Sequence, residues 1–171
     1  VLALADVAGR NVALDDAVAV GTIVNDDQTT LSIDDVTLSE GSEISGFTAF
    51  VFTVTSSNAV QGGITVPYTT VAGSLSFVGG AVNEQHSILV EVDPDQIVEL
   101  TEEFTVQLGD LVFIVADAST VVYANSVGTG TIVNDDDAVI TIDDVTTIES
   151  DGVTGTDFVF TVTLSAQIDV S

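Results

Sequence analysis

A seven-residue run, Gly-Thr-Ile-Val-Asn-Asp-Asp, fills Gly21–Asp27 and returns at Gly130–Asp136, 109 residues later. Behind each copy comes a second shared segment, Leu31-Ser-Ile-Asp-Asp-Val-Thr-Leu-Ser-Glu40 and Ile140-Thr-Ile-Asp-Asp-Val-Thr-Thr-Ile-Glu149, at the same offset. A third pair, Phe50-Val-Phe-Thr-Val-Thr55 and Phe158-Val-Phe-Thr-Val-Thr163, is 108 apart. Three matched segments in one order and at one spacing define an internal repeat, and a repeat dictates the architecture before any single strand does. The period is that of a domain rather than of a solenoid turn. Residues 1–27 read as the last strands of one copy, 28–136 as a complete copy, and 137–171 as the first strands of a third. The chain opens on Val and stops within a strand-like segment, so it is expected to be an excerpt from a longer array.

Inside the complete copy, apolar and polar residues alternate in short runs, the period of half-buried strands. Strands are expected at 30–38, 48–56, 64–70, 74–78, 86–92, 103–109 and 127–134, with Gly, Ser, Asn and Pro in the gaps. In Leu31–Leu38 the apolar positions change parity at Asp34–Asp35, as a bulge or a crossing between sheets requires. Leu111–Val115 and Val121–Tyr123 are apolar enough for an extra hairpin packed on the same domain. About seven strands of this kind predict an all-β fold, an antiparallel immunoglobulin-like β-sandwich, in tandem.

The charge is one-sided: 27 acidic residues against one basic residue, Arg10, and no lysine. A net charge of −26 excludes nucleic acid and anionic membrane as partners, since both need a positive footprint. Such acidity usually signals disorder, but 46% of the residues are hydrophobic and they are patterned. The charge must therefore be spread over the surface or neutralised by cations. With no cysteine there is no disulfide and no thiol chemistry. No apolar run reaches the roughly 18 residues of a membrane span, and no secretory leader is readable.

The carboxylates gather in three places in the complete copy. Glu40 and Glu43 follow the first strand; Asp93, Asp95, Glu99, Glu102 and Glu103 lie between two later strands; Asn134–Asp137 follow the last. Ends of alternate strands meet at one pole of a sandwich, and three acidic loops converging there form an oxygen cage suited to Ca²⁺ rather than to the tighter octahedron of Mg²⁺. Competing readings are plain turn chemistry at Asn25–Asp27 and a bulge with a solvated face at Ile-Asp-Asp-Val. His86, the one histidine, reads as a surface residue. Paired carboxylates also serve glycosidases, but Trp is absent and no nucleophile–base or P-loop pattern occurs. The expectation is a non-enzyme.

Taken in order, Gly-Thr-Ile-Val-Asn-Asp, Ile-Asp-Asp-Val, Ser-Glu-Gly, Phe-Val-Phe-Thr-Val-Thr and Glu-x-x-Glu-x-Phe-Thr-Val resemble the Calx-beta domain, the calcium-binding β-sandwich of sodium–calcium exchangers, integrin β4 and many bacterial surface proteins. The resemblance covers essentially the whole chain. It implies calcium ligands at Glu40, at Asp95, Glu99 and Glu102, and at Asp135 and Asp136, with Asn134 where strong binders often carry a third Asp. The Gly-Ser-Asp-Tyr-like segment of the family is missing, since Thr70–Phe77 runs straight on, and Pro94 replaces a commonly acidic position. One or two weaker sites are expected. The function expected is a calcium-stiffened structural or adhesive module of a large secreted or cell-surface bacterial protein, with neighbouring repeats or identical subunits as partners. Alternatives are a filament subunit assembled by strand complementation, a calcium-sensing module of a transporter or enzyme, and an accessory module of a secreted hydrolase.

Overall fold

The structure is a computed structural model and describes residues 2–3, 15–24, 26–42, 46–60, 62–114, 121–152 and 155–170. Among these every regular element is a strand. Ahead of the complete repeat, β1 (Leu2–Ala3) and β2 (Val18–Ala19) pair antiparallel. The repeat itself holds β3 (Thr29–Ile33), β4 (Val36–Ser39), β5 (Thr48–Ser56), β6 (Ile64–Tyr68), β7 (Gly73–Phe77) and β8 (Gln85–Val92). It continues with β9 (Ile97–Val98), β10 (Glu102–Gln107), β11 (Val112–Phe113), β12 (Val121–Asn125) and β13 (Val127–Val133). The following copy contributes β14 (Ile140–Ile142), β15 (Val162–Leu164) and β16 (Gln167–Ile168).

Alternation decides which face of each strand is buried. Phe50, Phe52 and Val54 of β5 are fully buried, as are Ile64 and Val66 of β6 and Phe77 of β7. One layer is a four-stranded sheet in the order β12-β3-β5-β8. The other comprises β10-β13-β4 and β11-β6-β7, joined where Leu108 bridges Tyr68 and where the Gly109 amide donates to the Pro67 carbonyl at 2.8 Å. Phe104 of β10 stands edge-on to Phe50 and Phe52 across the core, ring centroids 5.4 and 5.9 Å away. The result is the expected β-sandwich.

The parity switch at Asp34–Asp35 is a crossing between layers: β3 lies in the four-stranded sheet and β4 in the other. Each aspartate fastens one side of the crossing. The Asp34 carboxylate accepts the Thr53 amide of β5 at 2.6 Å, and that of Asp35 accepts the Thr129 amide of β13 at 2.7 Å. β12 and β13 cross in the same way around Ser126, where the Asn125 side-chain amide donates to the Ile33 carbonyl at 2.9 Å. Because β12 runs parallel to β3 and β13 parallel to β4, the chain enters the repeat at one pole and leaves at the other.

The expected hairpin between 111–115 and 121–123 is not formed by the described residues. β11 pairs with β6 instead, and β12 with β3; each apolar run found a partner distant in sequence. Leu111 and Val121 do pack against the repeat's own core, whereas Val112, Phe113 and Ile114 stay exposed. His86 is half-buried rather than free on the surface: it stands edge-on to Phe77 and its Nε2 lies 3.0 Å from a carboxylate oxygen of Glu84.

The third copy repeats the first pairing residue for residue. Ile140, Thr141 and Ile142 face Leu164, Thr163 and Val162 as Leu31, Ser32 and Ile33 face Ser56, Thr55 and Val54. The Thr161 amide donates to Asp143 at 2.7 Å, the counterpart of the Thr53–Asp34 bond.

Candidate metal centre

Three backbone segments reach the exit pole. β4 ends in Glu40, whose amide donates to the Val133 carbonyl at 3.2 Å, extending the β4–β13 ladder by one residue. Gly41, at φ +91°, then turns the chain away, and the Thr48 hydroxyl holds the Glu40 carbonyl. The loop between β8 and β10 brings Asp95, and the segment leaving β13 brings Asp136. One carboxylate oxygen from each of Glu40, Asp95 and Asp136 lies within 4.8 Å of the other two.

Glu40 is the informative member. Only 4% of it is exposed, and its Oε1 is buried with no hydrogen-bond partner; Asp136 Oδ2 is in the same position. Buried polar atoms are nearly always satisfied, and a buried carboxylate oxygen without a donor is costly. Burial, followed by the charges of Glu99, Asp95, Asp136 and Asp135, holds the Glu40 carboxyl above the ordinary carboxylate range. Glu99 is shifted the same way by partial desolvation and by Asp95, Glu102, Asp169 and Asp136. A hard divalent cation would satisfy the orphaned oxygens and reverse both shifts, because an all-carboxylate donor set is what Ca²⁺ accepts. The residues present fit that ion.

The remaining expected ligands take other places. Asp135 turns Oδ1 to the Gly41 amide at 3.1 Å. Asn134 spends its side chain within the loop: Oδ1 accepts the Glu99 amide at 2.9 Å and Nδ2 donates to the Asp136 carbonyl at 2.9 Å. It therefore positions two acidic segments against each other. Glu99 acts on Glu40 through charge and Glu102 acts in turn on Glu99, and Asp95 also accepts the Ile97 amide at 2.7 Å. Glu43 lies outside the described residues.

Sequence reasoning missed one contributor. β16 of the following copy pairs in parallel with β9, Gln167 opposite Ile97 and Ile168 opposite Val98, and the Asp169 amide donates to the Val98 carbonyl at 3.0 Å. This places Asp169 close enough to raise Glu99. The pairing joins two elements of two residues each, too short to leave a readable pattern in the sequence.

No family model and no curated protein matches the chain. Among solved structures it is similar to the apo-form Calx CBD1 domain, with a TM-score of 0.46 and 16% identity, over 64% of this chain and 100% of that one.

Proposed function

We propose that the chain is a calcium-binding repeat module, without catalytic activity, whose ion fixes the junction between one sandwich and the next. The observation that carries this reading is the buried Glu40, whose Oε1 has no hydrogen-bond partner and whose carboxylate has an oxygen within 4.8 Å of oxygens of Asp95 and Asp136. The three residues belong to three segments with different duties: the end of a sheet strand, the loop on which the following copy rests through β9, and the connector leading into β14. An ion shared among them ties the connector to the body of the repeat. Without it, like charges push the connector and loop apart. Modules of this kind act at about 10⁻⁴–10⁻³ M calcium, a concentration found outside cells, and a surface carrying one basic residue offers almost no site to trypsin-like proteases. A secreted or surface-attached rod, stalk or adhesin segment, with neighbouring repeats as its partners, is the setting these properties suit.

Calorimetric titration of the chain with CaCl₂ is the direct test. The expected result is saturable binding that Asp136→Asn weakens at least tenfold and that MgCl₂ does not reproduce. Heats indistinguishable from dilution in the unsubstituted chain, up to about 10 mM calcium, ten times the upper end of that affinity range, would remove the ion from the account.

A further inference from the structure

A second carboxylate is held at the other end of β5 from Glu40, in the connection from β7 to β8. Glu84 clamps this connection with both its main chain and its side chain. Its carbonyl accepts the amide of the fully buried Ser56 at 3.0 Å, which ties it to the end of β5. Its carboxylate folds back over the loop: Oε1 accepts the Val78 amide at 3.2 Å and stands 3.0 Å from Nε2 of His86, while Oε2 is buried without a hydrogen-bond partner. The loop has little else to hold it. Gly79, Gly80 and Asn83 turn it at φ +83°, +97° and +58°, and Val78 and Val82 are exposed. His86 is the one group of the complete repeat able to carry a positive charge, the chain's other cation being Arg10. Its ring stands edge-on to Phe77, centroids 4.5 Å apart, and it lies opposite Val54 of β5. With 31% of its side chain exposed, it can still exchange protons with solvent.

We propose that Glu84 and His86 form a proton-operated latch on residues 78–83: protonation of the imidazole closes the loop and loss of that proton loosens it. The surroundings leave the pair to itself. β5 and β7, the strands packed against His86, belong to a stretch from Ile44 to Asn83 without one charged residue. The charge that acts on Glu84 is that of His86, whose hydrogen bond is the largest influence on it. Against the opposing effect of burial, and with help from the Val78 and Gly79 amides, this bond holds the Glu84 carboxyl below the ordinary range. A neutral imidazole gives Glu84 an ordinary hydrogen bond, whereas an imidazolium gives a charge-assisted one, about twice as strong. Histidine side chains in general titrate at about 6.5. The lowered Glu84 sets the acid limit: the stability it contributes is present above the unfolded value of 4.5 and is lost as pH falls through the folded one. The latch is thus tightest in mildly acidic solution. Open or shut, it decides how firmly the entry pole presents Val78 and Val82.

Amide hydrogen exchange of the full chain, followed by NMR in chelator between pH 5.5 and 7.5, reads the loop at Val78 and Gly79. Corrected for the intrinsic rate, protection of the Val78 amide should be about fivefold higher at pH 5.5 than at 7.5. The rise should follow the ring-proton shift of His86, which is unambiguous because the chain has a single histidine. In His86→Gln, which keeps a neutral donor, protection should stay at the higher-pH level throughout. The amide of Phe52, in the core, should exchange alike in parent and variant and so report that the variant folds. Equal protection of Val78 at both pH values in the parent overturns the latch, as does a rise in mild acid that survives His86→Gln. Because calcium is absent throughout, the outcome does not depend on the metal centre at the exit pole.

Discussion

Glu40 concentrates the chemistry of the molecule in one side chain. Its burial would be a defect in a chain with no cation to meet it, so its substitution separates structure from function. Glu40→Gln removes a charge that the calcium-free protein must bury near four other carboxylates. The variant is therefore expected to melt higher than the parent in chelator, by several degrees for each kcal/mol relieved, and to gain nothing from calcium. The parent, at 100 times its dissociation constant, should gain about 2.7 kcal/mol. Differential scanning calorimetry of the two proteins with and without chelator reads both outcomes. The direction of the Glu40 shift also fixes a pH dependence. A folded-state value raised above the ordinary 4.5 means that the folded chain holds this proton more tightly than the unfolded one. The stability Glu40 lends the calcium-free protein is thus fully present below about 4.5 and is lost as pH rises through the folded value. Calcium competes for the same oxygens, so the gap between calcium-loaded and calcium-free melting temperatures should widen from about pH 5 to pH 7.5 and shrink on return.

At the scale of elements, the repeated motifs explain themselves as joints. Gly130, at the head of the second Gly-Thr-Ile-Val-Asn-Asp-Asp, is glycine because a Cβ there would sit 2.3 Å from the Phe104 ring. Gly130→Ala is expected to cost about 1–3 kcal/mol as an overpacked core, measured by urea denaturation. Asp34→Ala and Asp35→Ala should each cost about 1 kcal/mol by leaving a strand amide without its acceptor. Neither should alter calcium binding. Alternation around Phe50 and Phe52 made the sandwich legible in the sequence, and the parity change at Asp34–Asp35 announced the crossing. Pairing partners were less legible. Leu111–Ile114 and Val121–Tyr123 are alike in composition, so neighbours in sequence looked like neighbours in space, whereas β6 and β3 supply their hydrogen bonds. The meeting of Glu40, Asp95 and Asp136 could be read from matched motifs, because each lies at a strand end facing one pole. The bracing contact of Asn134 could not, since a carboxamide in an acidic run reads equally as ligand or as brace, and its bond from the Glu99 amide at 2.9 Å joins residues 35 apart in the chain.

For the whole molecule, the large negative charge and the opposed poles act together. Repulsion among the acidic ends would extend an unliganded array without fixing its direction, while the proposed ion at the junction would select one orientation. Small-angle scattering of a longer array, or energy transfer between labels on its two ends, should report a narrower distance distribution with calcium than with chelator. Glu40→Gln should erase the difference. The parallel pairing of β3 with β12 and of β4 with β13 has one more consequence, for load. Tension enters through Gln28 and leaves through Asn134, so it pulls these strands past each other along their length. The ladder bonds are then strained together in shear rather than opened one after another from an end. A chain built this way yields late and all at once.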